Sequence, residues 1–354
     1  MKALVLSGGK GTRLRPITHT RAKQLIPVAN KPVLFYGLEA IAKAGIKKCG
    51  IVVGDTAEEI KNAVGSGRKF GLQVEYIFQK QPLGLAHAVL VSKKYLGDEP
   101  FVMYLGDNLL KNGIKKFVDQ FEKARPNSQI LLVHVKNPEQ FGVAELRGKK
   151  VVRLKEKPKK PRSDLALVGV YIFDHNIHKA VREIKPSFRG ELEITDAIQW
   201  LIDHGLQVQY QVVDGWWKDT GKVEDLLEAN RMILDEIETR IDGEVCPECK
   251  IEFKVVIEKG AKITRSLVRG PAIIGKGALI ENSYIGPFTS IAENCRVRHA
   301  EIEHAIIMAE SKIDNVPHRI ADSLVGRNST IRSSRQKPEA LRLIIGDSSE
   351  VDLV

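Results

Sequence analysis

Apolar residues alternate between short runs and amphipathic stretches from the first residue to about residue 240. Lys2–Leu6, Gly50–Val53, Val74–Phe78, Phe101–Leu105, Gln129–Val135 and Gln207–Val213 are short and apolar, and predict strands. Val33–Ala44, Gly84–Tyr95 and Ile114–Ala124 place apolar residues at helical spacing, and Lys222–Thr239 predicts one long helix. Strand, helix, strand at this spacing predicts right-handed crossovers and a mostly parallel sheet, an α/β Rossmann-like domain. Such sheets bind ligands beyond the carboxyl ends of their strands. The loops after Leu6, Phe78 and Leu105 are therefore expected side by side at one edge.

Beyond residue 250 the period changes. Aliphatic residues recur at Ile257, Ile263, Val268, Ile274, Ile280, Ile285, Ile291, Val297 and Ile302, in repeating steps of 6, 5 and 6, so that position i matches i+17. Turn residues fall between them, as in IIGKGALI and LVGRNSTI. A three-sided coil of about six residues per side, with one inward aliphatic on each, satisfies this spacing. The expectation is a left-handed parallel β-helix of about four to five coils. The predicted domains are 1–240 and 241–354, with IDGEVCPECK as a turn-rich junction. Arg332–Glu339 reads as a loop and Leu341–Ile345 as a final strand.

With 354 residues, 43 % of them hydrophobic, the chain can bury two cores. No apolar run approaches the ~18 residues of a membrane span. MKALVLSGG carries too short an apolar run for a signal peptide and leads straight into a glycine loop. The expectation is a soluble cytoplasmic protein. The net charge of +11 is spread along the chain, and only KEKPKKPR is locally dense. Without interleaved aromatics it predicts solvated surface and an anion site, with neither nucleic acid nor membrane as partner. Cys246 and Cys249 form one CxxC, half of a zinc site with no second pair at ligand spacing, and read as two ordinary thiols in a turn.

The first strand runs into LSGGKGTRLRPIT. Glycines there let backbone N–H groups approach phosphates. A dinucleotide fingerprint fails because Leu14 stands where its third glycine belongs, and a Walker A sequence is absent. What remains is a glycine loop with Arg13 and Lys23 close by, cations suited to a polyphosphate.

GGKGTRLRPITHTRAKQLIPVANKP resembles the signature of the sugar-nucleotide pyrophosphorylases, and KQLIPVANKPVLFYGLEAI is similar to their long thymidylyltransferase branch. The resemblance runs over essentially the whole chain. It implies transfer of a nucleotidyl group from a nucleoside triphosphate, dTTP in this branch, to glucose 1-phosphate, with Mg²⁺ and release of pyrophosphate. It implies a nucleotide site at Leu6, Gly8, Gly9, Gly11, Thr12, Arg13, Gln24, Gln79, Pro82, Gly84 and Asp107. Within QPLGLAHAV and its approach, Gln79 would pair with the base edge and Gly84 would let the base lie on the backbone. Asp107 of YLGDN and Asp219 of WWKDTG would share one metal ion. The sugar phosphate would meet Asn108, Gly142, Glu156, Lys157, Val168, Gly169 and Glu193. Phe141 stands where the family usually has Tyr, and Asp196 is as suited to structure as to binding.

In-line attack by a phosphate dianion needs no strong general base, so catalysis is assigned to Arg13, Lys23 and Lys157 as positioning cations. His19 and His87 are read as incidental. Alternatives are a UTP-using enzyme, a bifunctional enzyme with sugar acetyltransferase activity in the repeats, and a non-catalytic assembly subunit. For acetyl transfer, the sequence gives no partner to His299, His304 or His318. A non-catalytic subunit tends to lose the loop cations and metal aspartates that this chain keeps. A homo-oligomer is expected.

Overall fold

The computed structural model describes residues 1–9, 11–333, 343 and 345–352. The chain forms two compact units: Met1–Lys10, Arg21–Leu25 and Val33–Asp219 in one, Gly11–Thr20, Ile26–Pro32 and Thr220–Val354 in the other.

The first unit is built on a nine-stranded sheet. Four neighbouring strands run parallel in the order Phe101–Leu105, Lys2–Ser7, Lys48–Val53 and Gln73–Phe78. Ala3, Leu4 and Val5 are all fully buried, a continuous apolar run rather than an alternation. That is the pattern of a strand covered on both faces. Side chains of the two faces gather in separate apolar clusters.

The expectation of a mostly parallel sheet fails for the other half. Leu165–Phe173 runs antiparallel to both Phe101–Leu105 and Ser128–His134. Gly142–Arg147 and Lys150–Glu156 form a hairpin, turned at Gly148 with φ 59°. A connection this short can join only antiparallel strands. Val208–Val212 then adds parallel to Ser128–His134.

Two predicted helices are shorter than expected. The stretch Gly84–Tyr95 is Leu85–Val91 followed by Lys93–Leu96. The break falls at Ser92, whose hydroxyl donates to the Ala88 carbonyl at 2.7 Å. The long helix is confined to Val223–Leu234, and the chain becomes extended at Arg240. Leu234 and Ile237 pack there on Val256 and Ile273.

The second unit carries three parallel sheets of six, six and four strands. Their register reproduces the 17-residue step: Ile257 lies beside Ile274 and Ile274 beside Ile291. Ile263, Ile280 and Val297 line up in the second sheet, and Val268, Ile285 and Ile302 in the third. All nine pack in one cluster. Corners between sheets take left-handed backbone at Gly260, Gly277 and Asn294 and at Arg265, Asn282 and His299. Glycine and asparagine adopt that conformation most readily.

IDGEVCPECK proves to be ordered sheet rather than a junction only. Arg240–Ile241, Glu244–Val245 and Lys250–Glu252 each start one of the three sheets. Cys246 and Cys249 occupy a turn there, with sulfurs 2.8 Å apart. Asn230 on the helix Val223–Leu234 is fully buried. Its Oδ1 accepts from Ala29 N–H at 2.8 Å and Ser290 Oγ at 2.7 Å, and its Nδ2 donates to the Phe288 carbonyl at 2.9 Å. The strand predicted at 341–345 falls largely outside the described residues. No helix among the described residues is long and apolar enough to cross a membrane.

Candidate active site

The parallel strands deliver their loops to one edge, as the topology requires. After Ser7 the chain passes Gly8 and Gly9 in tight quarters. A Cβ on Gly8 would lie 3.5 Å from Gln79 Oε1 and 3.6 Å from Gly54 N, and one on Gly9 would lie 3.2 Å from Lys23 Cε. Gly106 donates its N–H to the Leu6 carbonyl at 2.9 Å, which ties the third loop to the first. Gln24 is buried against Gly106, and its Oε1 has no hydrogen-bond partner among the described residues.

Lys23 and Asp107 form an ion pair, with side chains only 15 % and 14 % exposed. Burial by itself raises the Asp107 pKa. The Lys23 charge, its hydrogen bond and that of Asn108 outweigh burial and hold the carboxyl below its ordinary value. The strand Trp217–Asp219 runs antiparallel to Asn108–Leu110, with Asp219 opposite Asn108. Both aspartates singled out in the sequence therefore lie at the same end of one two-stranded ribbon. Asn108 joins the parts. Its Oδ1 accepts from Gly169 N–H at 3.1 Å and Trp217 Nε1–H at 2.7 Å, and its Nδ2 donates to Asp107 Oδ1 at 3.1 Å.

Glu156 ends its strand beside Gly142, where a Cβ would lie 3.1 Å from Glu156 Oε2 and 2.7 Å from Thr195 Cγ2. Thr195 Oγ1 donates to Glu156 Oε2 at 3.3 Å. Arg189 stands between two carboxylates, with Nη1 3.7 Å from Glu156 Oε1 and 3.3 Å from Glu193 Oε1. Ser187 Oγ also donates to Glu193, at 2.9 Å. Burial first, and then the Glu193 charge, raise the Glu156 pKa; burial also raises that of Glu193. Lys157 is exposed, in left-handed backbone, with its N–H on the Phe141 carbonyl at 3.0 Å. The Phe141 ring meets Trp217 edge-on at 5.5 Å, an apolar role that needs no hydroxyl. The Val168 side chain is fully buried, so it offers a ligand backbone only.

Gln79 closes the last parallel strand. Gly84 has φ 103°, and a Cβ there would lie 2.4 Å from the Leu192 carbonyl oxygen. Leu192 in turn bonds Leu83 and Ala86. The His87 Nδ1 lies 2.9 Å from Gln79 Nε2. His304 likewise has a partner, Asp322, although its Nε2 is buried and unbonded among the described residues. Pro82 is exposed. Gly11 is left-handed, and its carbonyl accepts from Leu14 N–H and from Thr18 Oγ1. Thr12 and Arg13 on that turn are exposed.

Sequence reasoning missed Arg189, Thr195, Trp217 and His87 as neighbours of the assigned residues. Arg189 four before Glu193, and Trp217 two before Asp219, were the available signals.

The profile of the nucleotidyl transferase family matches residues 2–236. The chain is 58 % identical to the glucose-1-phosphate thymidylyltransferase of Streptomyces antibioticus, over 100 % of this chain and 99 % of that one. It is 36 % identical to the bifunctional protein GlmU of Methanocaldococcus jannaschii, over 93 % of this chain and 78 % of the relative. Among solved structures it resembles a Bacillus anthracis protein assigned as a glucose-1-phosphate thymidylyltransferase, in complex with sucrose. That likeness has a TM-score of 0.63 and 34 % identity, over 68 % of this chain and 97 % of that one.

Proposed function

The chain belongs to the nucleotidyl transferase family, and we propose that it transfers the thymidylyl group of dTTP to glucose 1-phosphate, giving dTDP-glucose and pyrophosphate. The observation that carries this is 58 % identity, end to end, with an enzyme of that activity. The clustering of Gly8, Gly9, Lys23 and Asp107 at the strand ends supports it.

The sugar phosphate attacks the α-phosphorus in line and pyrophosphate departs. The attacking monoester is already an anion, so the protein positions groups and balances charge. Lys23 and Lys157 bring two anions together. Glu156 accepts sugar hydroxyls, and Glu193 supports it through Arg189. The backbone of Gly8 and Gly9 receives phosphate, and Gln79 reads the base.

Members of this family typically use a divalent metal. Asp219 on the strand Trp217–Asp219 and Asp107 in the turn just before Asn108–Leu110 are hard oxygen donors, and Asp107 already faces an ammonium. That donor set suits Mg²⁺ and would hold it through carboxylate oxygens. Held there, the ion would stabilise charge on the phosphates.

The division of labour falls near residue 240. The three stacked sheets are read as a left-handed β-helix that stabilises a homo-oligomer, and the protein works in the cytoplasm. A second reading, acetyl transfer in the repeats, is favoured by the His304–Asp322 pair. The test is a panel of nucleotides against sugar phosphates, scored by pyrophosphate release, with an acetyl-CoA arm. The expected result is dTTP first, UTP second and no acetyl transfer. A preference for ATP or GTP contradicts the assignment.

A further inference from the structure

Gln79 is an amide, and an amide reads a base edge in one of two ways. Its oxygen accepts and its nitrogen donates, so a half-turn about the last side-chain bond reverses the readout. Three contacts bear on which way it points. Nε2 lies 2.9 Å from His87 Nδ1 and 3.4 Å from the Gly84 carbonyl oxygen. Oε1 lies on the other side, 3.5 Å from where a Cβ of Gly8 would be. The Gly84 carbonyl can only accept, and a reversed amide would set oxygen against oxygen there. His87 Nδ1 accepts when the ring is neutral with its proton on Nε2. Burial lowers the His87 pKa and so favours the neutral ring. The histidine sits in the first turn of the helix Leu85–Val91, three residues after Gly84.

We propose that His87 is a positioning residue that fixes the Gln79 amide with its oxygen toward the nucleotide, and thereby sets which base the enzyme accepts. This rests on the reading of Gln79 as the group that meets the base. Thymine and uracil carry an N3–H donor between two carbonyls, and a fixed Oε1 accepts that hydrogen. Cytosine offers an unprotonated N3 and an amino group, so the same oxygen meets a lone pair. A freely turning glutamine would serve either pyrimidine. The histidine therefore supplies the discrimination against cytosine, while the single methyl between thymine and uracil lies outside its reach.

The experiment measures kcat and KM for dTTP, UTP and dCTP in the full-length enzyme and in His87→Ala, His87→Gln and Gln79→Ala. For His87→Ala the KM for dTTP should rise about tenfold, the worth of one hydrogen bond, with kcat within about twofold. The dTTP-over-dCTP ratio of kcat/KM should fall about tenfold, with UTP following dTTP. His87→Gln can accept the same hydrogen through its side-chain oxygen and should restore the ratio. Gln79→Ala should abolish it. If His87→Ala weakens dTTP and dCTP equally, or leaves the ratio intact while Gln79→Ala abolishes it, the inference is overturned and the base-reading role of Gln79 stands. An unchanged ratio in Gln79→Ala removes that role and the inference with it.

Discussion

Replacing Asp107 by Asn takes a negative charge from beside the largely buried Lys23 ammonium. Breaking a buried pair from one side costs about 3–5 kcal/mol, because the remaining charge keeps its desolvation penalty. An amide oxygen can still accept from the ammonium, so the lower end, about 3 kcal/mol, is expected. At about 2–4 °C per kcal/mol for a unit of this size, the melting temperature should drop by about 6–12 °C. Lys23→Met should cost a similar amount, since it takes the counter-charge from a largely buried carboxylate. The double variant should recover about 2–3 kcal/mol relative to the sum, the range expected of groups in contact. Urea and thermal melts of the four proteins give the coupling directly. Pyrophosphate release, followed as Mg²⁺ is lowered, should fall at least about a hundredfold in every variant, since each loses a group that stabilises charge. The pH profile adds a sign. Asp107 is held below its ordinary pKa, so its contribution is complete above about 3.9 and is lost as the pH falls through the lower folded value. Lys23→Met should flatten that acid limb. Additive costs within about 0.5 kcal/mol would refute the ion pair as a determinant of stability. Near-normal turnover of Asp107→Asn at limiting Mg²⁺ would remove Asp107 from the metal site.

Asn230→Ala deprives Ala29 N–H, Ser290 Oγ and the Phe288 carbonyl of one partner each and should cost about 3 kcal/mol in urea melts; a loss below about 1 kcal/mol would mean that water replaces the amide. Glu156 is raised by burial and by Glu193, so its charged form costs stability as the pH climbs from about 4.3 through the higher folded pKa. Glu156→Gln should therefore melt no lower than the wild type near neutral pH, while the KM for glucose 1-phosphate rises about tenfold; an unchanged KM speaks against contact with the sugar. A chain ending at Glu238 loses Val256 and Ile273 from against Leu234, and Ser290 and Phe288 from Asn230. It should melt lower or aggregate, and a folded truncation that binds both substrates without turnover would give the repeats a part in chemistry.

The repeat half was the most legible part of the sequence because short parallel strands bury aliphatic residues side by side, and their register repeats that demand at a fixed interval. Ile257, Ile274 and Ile291 take adjacent rungs for that reason. Its beginning was hidden because IDGEVCPECK is rich in turn residues, although Val245 and Ile251 already lie in the aligned positions. Leu165–Phe173 escaped notice because nine consecutive buried residues carry neither a two-residue nor a helical period. The glycines were legible as places of close approach, but not as to what approaches. Gly84, Gly142 and Gly169 were assigned to ligands, yet a Cβ at each would strike Leu192, Thr195 or Asn108 within 2.8 Å. A glycine needed by the protein's own packing and one needed by a substrate look the same in a sequence.

Asn108 makes the same point about side chains. The family resemblance implied the sugar phosphate for it; in the structure its oxygen accepts from Gly169 N–H and Trp217 Nε1–H and one amide hydrogen goes to Asp107. An amide held by two donors from separate strands cannot turn, so the hydrogen it offers to Asp107 has one direction. The carboxylate proposed to carry the metal is thus oriented from Leu165–Phe173 and Trp217–Asp219 together. Asp219 lies on the second of these, opposite Asn108, so the backbone that brings one aspartate also supplies the indole that steadies the other. Loss of Asn108 should for that reason impair Asp107 even where its own charge is untouched, which is why a substitution there cannot be read as the loss of a substrate contact alone.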